Sequence, residues 1–98
     1  MRLTAEEVQA IKAAARRAFG ADAVVRLFGS RVDDARHGGD IDLHVELPAT
    51  VNFSSAKEGF LDRLFARIDP QRVDVIATVK GATPRPIEAI AYRDGIVL

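Results

Sequence analysis

The chain predicts an α/β (α+β) fold, a small mixed β-sheet with helices packed on it. Two long stretches repeat apolar residues at helical spacing, three short ones are apolar or alternate strictly, and the two kinds are interspersed along the chain. With 98 residues and 48% hydrophobic content, residues 1–98 suffice for one core and a single domain.

The first element is "TAEEVQAIKAAARRAFG". Thr4 caps a helix, Glu7 three residues later completes a capping box, and Gly20 stops it. Val8, Ile11, Ala15, Ala18 and Phe19 form its inward stripe, while Arg16 and Arg17 suit the negative end of the helix dipole. "AVVRLFG" reads as a buried strand closed by a glycine. Residues 40–46, "DIDLHVE", alternate without a fault: Ile41, Leu43 and Val45 face one way, Asp40, Asp42, His44 and Glu46 the other. "LPATVN" is a loop.

"FSSAKEGFLDRLFARIDP" is the second long helix, with Ser55 and Glu58 as a capping box and Pro70 as its close. Phe60, Leu61, Leu64, Phe65 and Ile68 mark its core face. "RVDVIATV" is a third strand rich in β-branched residues. After the "KGATPRP" turn, "PIEAIAYRDG" forms a short helix with Pro86 in its first turn and Gly95 past its end. The closing "IVL" is either a last edge strand or a tail that packs down; its exposure makes homo-oligomeric pairing an open option. Strand order is not legible from periodicity.

Charged residues make up 29% of the chain and cancel to a formal net of +0, which gives no bulk pull toward nucleic acid or membrane. Direct nucleic-acid binding is not expected, because no basic stripe is visible and Phe53, Phe60 and Phe65 lie at helical spacing as core residues. With 0 cysteines, disulfides, thiol catalysis and thiolate zinc sites are excluded. "MRLTAEEVQAIK" lacks the apolar segment of a signal peptide, and no run approaches the roughly 18 apolar residues of a membrane helix. The expectation is a cytoplasmic protein without a membrane partner.

Asp40 and Asp42 stand at period two, so both carboxylates leave one face of one strand, where they repel and one pKa should rise. Asp74 sits inside the third strand between Val73 and Val75, an unfavourable place for a carboxylate. If that strand neighbours the second, Asp74 joins the pair, and three carboxylates on one sheet face suit Mg²⁺. Two such ions about 4 Å apart would clamp the attacking and leaving oxygens of a phosphoryl displacement, with Asp74 as the candidate proton acceptor. Gly29 lets the backbone approach a phosphate, Ser30 offers an N–H and a hydroxyl at a strand-to-helix turn, and Arg31 can add a charge-assisted contact.

His37 and His44 read as surface histidines, with approach to a phosphate the second reading of His44 because it shares the aspartate face. Asp33, Asp34 and Asp94 read as solvated loop acids, and Tyr92 as a packing residue with an exposed hydroxyl. Taken singly, Gly29–Ser30 is an ordinary turn and Asp40 with Asp42 an ordinary solvated edge. Their conjunction with Asp74 is what points to chemistry.

"GSR", then "DIDL" about ten residues on, then a later "VDV" strand, resembles the minimal nucleotidyltransferases (MNT) of the DNA polymerase β-like nucleotidyltransferase superfamily. The resemblance spans Val24 to about Leu98. It implies that Gly29 and Ser30 hold nucleotide phosphates, that Asp40 and Asp42 hold Mg²⁺, and that Asp74 completes the site. Val32 stands where the family usually has a small residue, and Gly39 where it often has serine; neither change touches the chemistry.

The resemblance further implies ATP as substrate and a helical protein of the HEPN type as partner, the chain serving as its antitoxin by AMP transfer to a tyrosine, by binding, or both. A domain this short has no room for an acceptor-binding module, which favours a protein acceptor over an antibiotic or other small molecule. Contact alone, without catalysis, is the second reading. No base-reading motif chooses among nucleoside triphosphates.

Overall fold

The computed structural model describes residues 1–32 and 39–98, so the readings of Asp33, Asp34 and His37 lie outside the described residues. Its elements are helix α1 (Ala5–Phe19), strand β1 (Val24–Phe28), a single 3-10 turn (Gly29–Val32), strand β2 (Ile41–Leu47), helix α2 (Phe53–Phe65), strand β3 (Val73–Val79), helix α3 (Pro86–Asp94) and strand β4 (Ile96–Val97). The order expected from sequence holds, and "IVL" supplies a strand.

Helix α1 starts as its sequence dictates: Glu7 N donates to Thr4 Oγ1 at 3.0 Å and Thr4 N donates to Glu7 Oε1 at 2.9 Å. Helix α2 departs from expectation at both ends. Its cap is Asn52, whose Oδ1 accepts from Ser55 N at 3.1 Å, not Ser55. The helix must begin by Phe53 because that ring packs on Phe19, with centroids 6.1 Å apart. It ends at Phe65, well before Pro70, and a turn in which Ile68 N donates to Leu64 O carries Ile68 onto the core.

The sheet order is β3-β2-β1-β4. Strand β2 pairs parallel with β3 across the α2 crossover, while β1 pairs antiparallel with both β2 and β4. One face carries Val25, Leu27, Ile41, Leu43, Val45, Leu47 and Val75 against α1 and α2, where Ile11, Phe19, Phe60 and Leu64 complete the core. Burying each such large side chain contributes about 1.5–3 kcal/mol.

The opposite face is covered only in part, by α3, and this corrects two readings. His44 is not a surface residue; it is 0% exposed beneath α3. Its Nε2 lies 2.9 Å from Thr78 Oγ1, and the Thr78 hydroxyl donates to Glu88 Oε1 at 2.7 Å. With its one proton so committed, Thr78 must accept from His44, which sets the imidazole as the neutral Nε2–H tautomer. Burial, then the charge of Arg26, pushes His44 below its ordinary pKa. His44 Nδ1 and Arg26 Nη1 are buried with no hydrogen-bond partner among the described residues.

Tyr92 likewise has no free hydroxyl: it donates to Glu46 Oε2 at 2.6 Å, while the ring meets His44 edge-on at 4.6 Å and lies 4.7 Å beneath the Arg26 guanidinium. Burial, then that bond to Glu46, pushes the hydroxyl above its usual pKa. Glu88 is 3% exposed; burial opposes its charge, but hydrogen bonds from Thr78 and Arg85 outweigh it and hold the carboxyl below the usual range. Polar groups buried this way lock α3 onto β2 and β3 and leave the far end of the face open.

Candidate active site

The parallel register pairs Asp42 with Asp74, Cα to Cα, and the antiparallel one pairs Phe28 with Asp42. Residues paired across strands leave the same face, so Phe28, Asp42 and Asp74 form one row over three strands. Asp40 stands two residues before Asp42, just ahead of the strand. The pairing starts there because Ile41 N donates to Arg72 O at 3.2 Å. The β2–β3 register thus sets Asp42 opposite Asp74, with Asp40 two residues earlier in the chain.

The acids repel as their spacing demands. Burial first, then the charges of Asp74 and Asp40, raise Asp42 above the usual carboxylate range, with Arg72 opposing. Arg72 Nε lies 3.3 Å from Asp40 Oδ2 and 3.5 Å from Asp74 Oδ2.

Gly29 has φ +75° and faces this row; a Cβ there would overlap the Asp42 carboxylate. Gly39 has φ +92°, and a Cβ on it would overlap Ser30 Oγ. The glycine at 39 therefore bears on Ser30, whose Oγ would have to rotate away from any side chain placed there. Ser30 is half-buried in the 3-10 turn, and its carbonyl accepts from Arg2 Nη2 at 3.0 Å.

Arg31, expected on the phosphates, points its guanidinium elsewhere. Nη1 donates to Arg2 O at 2.8 Å, Nε to Gly39 O at 3.3 Å and Nη2 to Gln71 Oε1 at 3.3 Å. It ties the turn to the N-terminal segment and to the residue before Asp40. That is a positioning role, and it holds Gly29 and Ser30 beside the acids.

The row opens into a cleft of about 600 Å³. Asp42, Asp74 and Asp94 line its acidic side, and Phe28, Val32, Ile76, Ile87 and Ile90 its apolar walls. Ile87 and Ile90, on α3, are 46% and 41% exposed, so the helix turns apolar side chains toward solvent at the mouth. Asp94, read as a loop acid, is the last residue of α3 and is bound by Arg93 through two contacts of 2.9 Å.

Two members of the site escape the sequence reading. Arg72 carries a legible signal, since it precedes Asp74 by two positions and so shares its face at strand period. The apolar wall does not, because Ile87 and Ile90 at helical spacing are indistinguishable from core residues.

In comparisons with known proteins, no family model and no curated protein matches the chain. Among the described residues, no three histidine or acidic side chains already stand together as the ligands of one ion. The Asp40 and Asp74 carboxylates are instead turned to the Arg72 guanidinium, a positive group lodged between acids. All-oxygen donors whose repulsion draws in a cation fit a hard divalent ion, provided the side chains rotate toward it. Among the described residues, no helix is long and apolar enough to cross a membrane.

Proposed function

We propose that this cleft is a nucleotidyltransferase site that uses a divalent cation and a nucleoside triphosphate, ATP on the family resemblance. The observation that carries the reading is the in-register pairing of Asp42 with Asp74 beside Gly29. Two carboxylates from different strands are held face to face at an electrostatic cost, next to a turn kept bare of side chain.

Asp40 and Asp42 would hold Mg²⁺, with Asp74 completing the set; bound there, Mg²⁺ would neutralise charge developing on the phosphoryl oxygens. Gly29 and Ser30 would receive the phosphates, kept in place by Arg31 and Arg2. In the transfer, the acceptor hydroxyl oxygen bonds to the α-phosphorus while the bond from that phosphorus to the bridging oxygen of the β-phosphate breaks. Pyrophosphate leaves, and Asp74 takes the hydroxyl proton before passing it to water.

The acceptor, on the same resemblance, is a tyrosine of a helical HEPN-type partner. The solvent-facing Ile87 and Ile90 at the cleft mouth support a protein acceptor, since they offer an apolar contact next to the acids. They equally favour the second reading, neutralisation of that partner by contact alone.

Calorimetric titration with ATP, with and without Mg²⁺, tests the first reading. Binding that needs Mg²⁺ and is lost in Asp40→Asn/Asp42→Asn is the expected result. If neutralisation of the partner survives the change of Asp40, Asp42 and Asp74 together to Asn, contact suffices and the catalytic reading falls.

A further inference from the structure

Arg72 lies immediately before β3, with its Nε 3.3 Å from Asp40 and 3.5 Å from Asp74. Its side chain is nevertheless 73% exposed, and among the described residues the ion pairs to those carboxylates are what hold the guanidinium. Ion pairs this exposed contribute little and are readily exchanged. A compact divalent ion brings twice the charge to the same oxygens and coordinates them directly. The backbone of Arg72 stays put in any such exchange, because its carbonyl accepts from Ile41 N within the sheet.

The released guanidinium would then lie beside a cation site and its phosphate ligand with no carboxylate left to it. The other arginines at the turn have their donors engaged elsewhere. Arg31 is committed to Arg2 O, Gly39 O and Gln71, and Arg2 to the Ser30 carbonyl. Arg72, by contrast, stands two residues before Asp74 and meets its carboxylate directly. A guanidinium suits phosphate oxygens through paired N–H donors.

We propose that Arg72 is a built-in counter-ion of the acid cluster, displaced from Asp40 and Asp74 by an entering divalent cation and thereby passed to the phosphates of the nucleotide. The proposal rests on the reading of the cleft as a cation and nucleotide site. It makes Arg72 a residue that keeps the metal-free cleft electrostatically quiet and arms it only when metal arrives.

The test is calorimetric titration with Mn²⁺ alone of the wild type, Arg72→Gln, Arg72→Lys and Asp40→Asn/Asp42→Asn, followed by ATP at saturating Mn²⁺. Arg72→Gln should bind Mn²⁺ about fivefold to tenfold more tightly than the wild type, since the competing charge is gone, and ATP about tenfold more weakly. Arg72→Lys, which keeps the charge but not the fork, should match the wild type toward Mn²⁺ and lose part of the ATP affinity. Mn²⁺ binding that is equal or weaker in Arg72→Gln overturns the counter-ion role while leaving the cation site intact. Equal ATP binding overturns the transfer to phosphate. No Mn²⁺ binding by any of the proteins overturns both this inference and the reading beneath it.

Discussion

Asp42 and Asp74 face each other as direct partners across the parallel β2–β3 pair, on the face of the sheet that α3 leaves partly open. A domain at the marginal stability of its size pays for that juxtaposition, and the cost is measurable. Because Asp42 is raised in the folded state, its contribution is favourable below the ordinary carboxylate pKa of about 3.9 and is lost as pH rises through the folded value. Asp42→Asn, without metal, should therefore be more stable than the wild type at pH 7, by less than about 1 kcal/mol given its partial exposure. The gain should shrink toward zero near pH 4. Thermal melts across that range decide it, and a variant less stable at pH 7 contradicts the strain at this position.

Divalent cation should reverse the penalty. At Mg²⁺ a hundredfold above its dissociation constant the wild type should gain about 2.7 kcal/mol, which for a domain of this length raises Tm by roughly 10 °C or more. The variant with Asp40, Asp42 and Asp74 all changed to Asn should show no shift beyond that of added salt. A shift equal in both proteins would assign the effect to ionic strength.

Gly29→Ala tests the bare turn. Its φ of +75° and the overlap of a Cβ with the Asp42 carboxylate should cost about 1–3 kcal/mol of stability. The same change should weaken cation binding, because the carboxylate must move aside. Denaturant melts and Mn²⁺ titration read the two effects separately; unaltered cation affinity would show that Asp42 is not set by its approach to Gly29.

His44 should titrate below the ordinary imidazole pKa of about 6.5 and carry its proton on Nε2 at neutral pH, as nitrogen chemical shifts of the imidazole would report. Its folded pKa is depressed, so the stability it contributes is full above about pH 6.5 and declines as pH falls through that value toward the folded one. A ring carrying its proton on Nδ1 at neutral pH would break the deduced chain from His44 through Thr78 to Glu88.

Much of this architecture is legible residue by residue. Thr4 with Glu7 marks the start of α1, Pro86 and Gly95 bracket α3, and the alternation from Asp40 to Glu46 assigns each side chain of β2 to a face. The start of α2 is not legible in this way, because Asn52 and Ser55 are both good caps. Packing of Phe53 on Phe19, not local preference, chooses between them. Arg31 departs from its expected place for a related reason. Its charge suggests a phosphate, but the carbonyls of Arg2 and Gly39 and the amide of Gln71 claim its donors first.

Period two alone puts Asp40 and Asp42 on one side of a strand, and an aspartate amid Val73 and Val75 announces that something unusual is required there. Those are properties of backbone geometry and hold for any fold the strands enter. That Asp74 stands opposite Asp42, that Arg72 reaches both flanking acids, and that α3 buries His44 while sparing the acid row are matters of strand order, register and helix placement. Such choices depend on contacts between residues far apart in the chain, where the gain comes from burying Leu43, Phe60 and their neighbours together. A local pattern names which residues share a face, and only the packed core settles which faces meet.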